Sequence, residues 1–366
     1  LSVRDEKKFL YEKVYECLKR DILAGNINCN DFLPSEKEIG DKFEVDRTTV
    51  RKALGKLVDD GLVEKRAGVG TRVVMRQYQP DNQNNFRTIG FLLPKSPKKS
   101  DRITQPFYSR LFYRVEAECR KKGFSLIYTT LDEDADLFHV VEAHRLSGVI
   151  FVTNVSKKFL QQAVDAKIPS ILVNGYYEEM ASVLCNNTDG AYKAIRHLVE
   201  IGHRRIAIIK GMSGYVTCDE RFEGCHKAAR ELGISFEPCD IYEGNWEFDG
   251  GYDGARKLFA DRENCPTALF AFNDMTAIGA IQGLVEMGRS VPDDVSVVGF
   301  DNEYEAAFRH LIPQLTTIDV NIKTMASIAA DNIVNRLENK GGYRLKIETP
   351  VDLVIGATTK ELVKIK

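Results

Sequence analysis

"LPSEKEIGDKFEVDRTTVRKALGKLVDDGLVEKRAGVGTRVV" spans residues 33–74. It reads as two short helices followed by a β-hairpin. Ser35 with Glu38 three positions on is a capping box, in which hydroxyl and carboxylate each satisfy an orphan backbone N–H. Ile39 and Phe43 then face inward. Asp46 stands at the N-cap of the next helix. At 100° per residue Val50, Ala53, Leu54 and Leu57 share one face of it. Thr48, Thr49, Arg51, Lys52, Gly55 and Lys56 share the other, with Arg47 at the border. No acidic residue occurs from 47 to 58.

Hydroxyls and guanidinium groups on the first turn of a helix suit a phosphate backbone and the major groove. Arginine bonds guanine bidentately, threonine and lysine hold phosphates, and the helix N-terminus favours anions. Gly55 costs around 1 kcal/mol on an exposed helix, which the close approach of another backbone would explain. Leu62–Lys65 and Thr71–Val74 read as the two strands of a wing. The competing reading is a solvated charged helix. Residues 1–75 hold 15 Lys/Arg against 14 Asp/Glu, a net charge of only +1, which is small for a protein whose nonspecific affinity scales with phosphates neutralised.

Working outward, a first helix is expected near Lys8–Ala24, with Leu10, Val14, Leu18 and Ile22 as one apolar stripe. "RQYQPDNQNNF" (76–86) has linker composition. From Arg87 onward the pattern changes. "TIGFLL", "FSLIYTT", "GVIFVT", "PSILVN", "RIAIIK", "TALFAF" and "VSVVGF" recur every 20–35 residues with helical stretches between most of them, the signature of βαβ units and a largely parallel sheet. About 280 residues is long for one such sheet, so two α/β lobes are expected.

The 366 residues carry 43% hydrophobic and 28% charged side chains, ordinary for a soluble globular chain. No apolar run approaches the roughly 18 residues of a membrane helix, and the charged N-terminus is unlike a signal peptide, so no membrane role and a cytoplasmic location are expected. The eight cysteines contain no C-x-x-C pair. Cys218, Cys225, His226 and Cys239 have no recurrent metal spacing. Neither a metal nor a cofactor is expected.

Residues 33–74 closely resemble the winged helix-turn-helix of the gluconate-repressor (GntR) family, through "LPSE", "V-x-R-T-T-V-R-K-A-L", "L-x-x-x-G-L-V" and "G-x-G-T". The resemblance implies that Arg47 and Arg51 read or clamp DNA, that Lys37, Thr48 and Thr49 hold phosphates, and that Gly68 lets the wing tip enter the minor groove. Asp46 stands where the family usually has a small hydroxyl residue.

In the rest of the chain "N-x-x-G" (187–190), "IGHRRIAII" (201–209), "R-x-x-G" (221–224), "N-D-x-x-A-x-G" (273–279), "V-V-G-F-D" (297–301) and "L-T-T-I" (315–318) follow in order. Asn273, Asp274 and Asp301 fall at carboxyl ends of strands, where open α/β sheets bind ligands. Each also has a plainer reading: Asn and Asp after a strand cap helices, Asp274 especially; Arg221 could sit on a surface; and Trp246 could be core. His197 and His203 read as structural.

Together these motifs resemble the effector domain of the lactose/galactose-repressor (LacI/GalR) family, which has the shape of a periplasmic sugar-binding protein. The resemblance implies an α/β fold with an N-terminal winged helix-turn-helix (1–75), a linker (76–86) and a two-lobed, periplasmic-binding-protein-like effector and dimerisation domain (87–366), with crossovers near 187, 319 and 350. It implies ligand contacts from Arg221, Asn273 and Asp301, cleft walls from Asn174 and Trp246, and a stacking face from Phe107 or Tyr108. The family's C-terminal strand usually has Arg where this chain has Gly356. The pairing of head and effector domain resembles bacterial arabinose repressors.

The function that follows is a ligand-responsive transcriptional regulator, expected to be a repressor of sugar-utilisation genes relieved by a monosaccharide. It would act as a homodimer on double-stranded operator DNA, spanning half-sites about 34 Å apart. A purine or a sugar phosphate is the alternative effector. A sugar sensor or an enzyme competes less well, since no G-x-S-x-G, P-loop or nucleophile pair is present.

Overall fold

The computed structural model describes residues 3–23, 26–27, 30–66, 69–74, 87–95, 101–261, 265–303, 314–338 and 345–362. The expected linker and Gly68 lie outside the described residues. These residues form two compact units: one drawn from 1–86, 134–147 and 156–169, the other from 87–133, 148–155 and 170 onward.

In the first unit, helix α1 runs Val3–Leu23, α2 Glu36–Phe43 and α3 Arg47–Asp59, followed by strands β1 (Val63–Arg66) and β2 (Gly70–Val73), which pair antiparallel as a wing. The capping box forms as the sequence predicts, with the Ser35 N–H donating to Glu38 Oε2 at 2.8 Å and the Glu38 N–H to Ser35 Oγ at 3.3 Å. Asp46 caps α3, its Oδ1 accepting from the Thr49 N–H at 2.8 Å. The core gathers Val14, Tyr15 and Leu18 from α1, Ile39 from α2, Val50, Ala53, Leu54 and Leu57 from α3, and Leu62, Val63 and Val73 from the wing.

Three expectations are corrected here. Leu10 is 39% exposed, so the apolar stripe of α1 starts at Val14, with Tyr15 in its place beside Leu18. Gly55 has no atom near where its Cβ would stand, so no close backbone explains it. Thr49 is buried: one turn before Ala53, it shares the core face of α3, not the polar one. The same unit takes α5 (Leu137–Ala143) and α6 (Lys157–Asp165), which bury Leu137, Phe138 and Val141, and Phe159, Leu160 and Ala163, respectively.

The second unit holds two parallel sheets. The larger has the order β13-β7-β6-β5-β3-β4, with β3 Thr88–Pro94, β4 Ser125–Leu131, β5 Gly148–Val152, β6 Ser170–Val173, β7 Ser182–Cys185 and β13 Lys346–Thr349. The smaller has the order β11-β10-β8-β9, with β8 Ile206–Lys210, β9 Ile241–Glu243, β10 Ala268–Ala271 and β11 Ser296–Val298. Every residue of β5, β6, β7 and β10 is buried, as for strands covered on both faces.

Helices α4 (Pro106–Lys121) and α11 (Ile322–Leu337) pack on the larger sheet. Helices α9 (Phe248–Leu258) and α10 (Asp274–Glu286) pack on the smaller. Helices α7 (Asn187–Glu200) and α8 (Val216–Leu232) pack together. The chain passes between the sheets after β7, after β12 (Thr317–Asp319) and after β13. Beyond that last crossing, β14 (Asp352–Val354) pairs antiparallel with β12.

Candidate functional site

On the first unit, α3 presents Arg47 and Arg51 with side chains 71% and 62% exposed. Thr48 and Lys37 are exposed as well. The sequence pattern missed a counter-charge. Glu36, the first residue of α2, meets Arg51 Nε at 2.9 Å, Arg47 Nε at 3.3 Å and Lys65 Nζ of the wing at 3.8 Å. Against a desolvation that raises it, the Arg51 hydrogen bond and these three charges hold the Glu36 carboxyl below its ordinary value. Glu64 likewise holds Arg66 at 2.8 Å and Arg72 at 2.7 Å. Five cations of helix and wing thus gather around two glutamates, which reconciles a basic surface with a nearly neutral head. Ion pairs this exposed are weak, of order 0–1 kcal/mol, and open readily when a phosphate competes. Lys52 and Lys56 turn the other way, the Lys56 ammonium lying 4.0 Å from the Tyr15 ring centroid on α1.

The second unit contains a cleft lined by Gln105, Phe107, Tyr108, Thr153, Asn174, Tyr215, Thr217, Arg221, Trp246, Asn273 and Asp301. Its empty space, open mouth included, is about 430 Å³. All seven cleft residues named from the sequence come together here. Gln105, Thr153, Tyr215 and Thr217 were missed; each belongs to a loop or helix start with no periodic signal.

Arg221 and Asp301 form the polar floor. Arg221 is 3% exposed, so it is no surface residue of α8. Its Nη2 lies 3.2 Å from Asp301 Oδ1, its Nε donates to Asn187 Oδ1 at 2.9 Å, and its Nη1 donates to the Phe272 carbonyl. The guanidinium stacks 3.6 Å from the Phe300 ring centroid. Burial raises the Asp301 carboxyl, and Arg221 opposes that rise. Asp274 lies close by, accepting from the Thr317 hydroxyl at 2.5 Å and from the Glu303 N–H at 2.6 Å. Burial first, then the charge of Asp301, lifts it to about 7.

The helix cap is Asn273 and not Asp274. The Asn273 oxygen accepts from the Thr276 N–H at 3.0 Å, while its Nδ2 donates to the Trp246 carbonyl at 2.9 Å. Asp274 is the first residue of α10 and is buried.

Phe107, Tyr108, Tyr215 and Trp246 supply the aromatic walls. Trp246 packs so closely on Gly211 that a Cβ there would stand 2.0 Å from Cζ2. Its Nε1 is buried without a hydrogen-bond partner among the described residues. Thr153, Asn174, Trp246 and Asp301 all have φ between 57° and 108°, a left-handed backbone uncommon for residues other than glycine. Each lies at a strand end or in a loop where the turn directs its side chain into the cleft, and such strain clusters at functional sites. His203 is buried and bonded to Thr267 Oγ1 at 2.8 Å, away from the cleft. No described helix is long and apolar enough to cross a membrane.

Residues 10–73 match the family of bacterial regulatory proteins of the gntR type, and residues 195–359 match the periplasmic binding protein-like domain. The HTH-type transcriptional repressor PurR of Aliivibrio fischeri (strain MJ11) is 30% identical over 281 residues, covering 74% of this chain and 80% of the relative. A LacI family transcriptional regulator from Enterococcus faecium, solved with bound ribose, is 25% identical with a TM-score of 0.65, covering 75% of this chain and 100% of its own. The transcriptional regulator CelR, solved with cellobiose, shares the fold at 22% identity and a TM-score of 0.67, covering 85% of this chain and 90% of its own.

Proposed function

We propose, from the premise that this chain belongs to the family of HTH-type transcriptional repressors that includes PurR, that its cleft takes a sugar and that the sugar relieves repression. The protein is a ligand-responsive, DNA-binding transcriptional repressor; operator DNA and a small-molecule effector are its partners.

The observation that carries the sugar reading is the convergence of Arg221, Asp301 and Asn174 beneath four aromatic walls. A monosaccharide offers vicinal hydroxyls, which the Arg–Asp pair can bond with charge assistance, and an apolar C–H face for Phe107, Tyr108 or Trp246. The ribose-bound relative supports it. In this reading Asn273 both fixes Trp246 and contacts the ligand. Arg47 and Arg51 reach base edges or phosphates, Lys37 and Thr48 hold phosphates, and Gly68 admits the wing to the minor groove. Thr49, being buried, contributes through its backbone. The protein acts in the cytoplasm as a homodimer, two heads meeting two half-sites one turn apart, and performs no catalysis.

A purine effector is the second reading, favoured by the aromatic walls, which would stack on a base as well. An operator titration with pentoses, hexoses and purines separates the two. The sugar reading expects weakened operator binding with at least one sugar and none of the purines; a purine response alone would replace it.

A further inference from the structure

We infer that the effector carries an oxyanion, a phosphate or a carboxylate on its sugar, and that Arg102 is the residue that selects for it. This deepens the sugar reading and rests on it.

Arg102 opens the short turn Arg102–Thr104 that leads into α4. Its guanidinium lies beside the side chains of Tyr108 and Tyr215, close enough to interact with both hydroxyls. Both tyrosines line the cleft. Arg102 itself stands behind that lining, whereas the arginine of the cleft floor, Arg221, is balanced by Asp301 at 3.2 Å. Arg102 has no such balance: among the described residues no carboxylate lies within 4.0 Å of it. Its neighbour Asp101 is engaged by the hydroxyl of Tyr128. The Arg102 Nε is buried and has no hydrogen-bond partner among the described residues.

A half-buried guanidinium that, among the described residues, meets neutral hydroxyls and no carboxylate, with one donor unpaired, is costly by itself. Buried charges are normally paired, and each unsatisfied donor calls for an explanation. A ligand oxyanion supplies both missing elements, because the guanidinium fork matches phosphate and carboxylate bidentately. Tyr108 and Tyr215 connect the two halves of the site. A sugar resting on Arg221 and Asp301 between the aromatic walls would direct its charged substituent past the tyrosine hydroxyls towards Arg102. A neutral sugar of the same ring would leave that cation uncompensated.

Trp246 is the sole tryptophan of the sequence and lines the cleft, so intrinsic fluorescence of the full chain reports binding. The probes are matched sets: glucose, glucose 6-phosphate and gluconate; ribose, ribose 5-phosphate and ribonate; with inorganic phosphate alone. The inference expects a charged member to bind at least tenfold more tightly than its neutral parent. The phosphate and acid arms tell which oxyanion is chosen. Arg102→Met should bring that ratio close to one while leaving the neutral sugar within about threefold, and Arg102→Lys should keep part of it.

Neutral sugars binding as tightly as their charged partners in the unsubstituted protein would overturn the inference, whatever the variants do. So would an undiminished preference in a folded Arg102→Met. In both cases the sugar reading stands. If no sugar of either kind moves the fluorescence or operator affinity, the sugar reading falls and this inference with it.

Discussion

Replacing Asp274 by asparagine should remove a pH dependence built in beside the cleft floor. Asp274 is 1% exposed, and its carboxyl rises from an ordinary 3.8 to about 7 because burial, then the charge of Asp301, disfavour the anion. The Thr317 hydroxyl and the Glu303 and Phe300 N–H groups only partly oppose that rise. An acid whose folded pKa lies above its unfolded one binds its proton more tightly in the native state. Its stabilisation is therefore full below about pH 4 and is lost as pH rises through 7. From 3.8 to about 7 the loss is about 4 kcal/mol at most.

Asparagine keeps an oxygen for the Glu303 N–H, and its amide turns Thr317 Oγ1 from donor to acceptor, so the geometry survives without the ionisation. Urea unfolding followed by Trp246 fluorescence, at pH 5 and pH 8, measures the difference between the two proteins. Carboxylates held low elsewhere, such as Glu243 at about 2 with Lys210 and Ser213, act in the opposite sense and lose their contribution only as pH falls towards 2. They are common to both proteins and cancel. The variant should gain on the parent by about 3 kcal/mol between pH 5 and pH 8, with an unchanged denaturant slope. A difference independent of pH would refute the argument that Asp274 is neutral in the folded protein at low pH.

Three further outcomes follow from the same geometry. Arg51→Ala should weaken operator binding by about 1–3 kcal/mol if it reads a base, or lower the salt slope by about 0.9 if it holds a phosphate; filter binding across salt concentrations distinguishes these from no effect. Glu36→Gln should release Arg47, Arg51 and Lys65 from their shared carboxylate and raise affinity for nonspecific DNA a few-fold, in keeping with exposed pairs worth about 0.2–1 kcal/mol. Unchanged nonspecific affinity would show that the glutamate does not compete with phosphate. Gly211→Ala should force the Trp246 ring off its seat, at about 1–3 kcal/mol of overpacking, shifting the emission spectrum and weakening effector binding; a wild-type spectrum would contradict the packing described.

The strands most visible in the sequence were wholly apolar, such as "GVIFV" and "ALFA", because burial on both faces leaves no polar interruption. The three-residue β9 and β14 and the half-polar β13 were not visible, since their pairing depends on neighbours distant in sequence. On α3 the helical period placed Val50, Ala53, Leu54 and Leu57 correctly but set Thr49 on the wrong face, where a small β-branched side chain fits core and surface alike. At the cleft, ordered motifs located Arg221, Asn273 and Asp301. Nothing local in the sequence marked Tyr215 or Arg102, nor Glu36 as the counter-charge to α3.

The most direct test is the affinity of the full chain for its labelled operator, measured by fluorescence anisotropy with and without a saturating sugar that quenches or shifts Trp246. A coupling of about 1–3 kcal/mol, or 5–150-fold weaker operator binding with the sugar present, is predicted, and operator DNA should weaken sugar binding by the same factor. Equal operator affinity in the two conditions, with the sugar demonstrably in the cleft, would contradict the account.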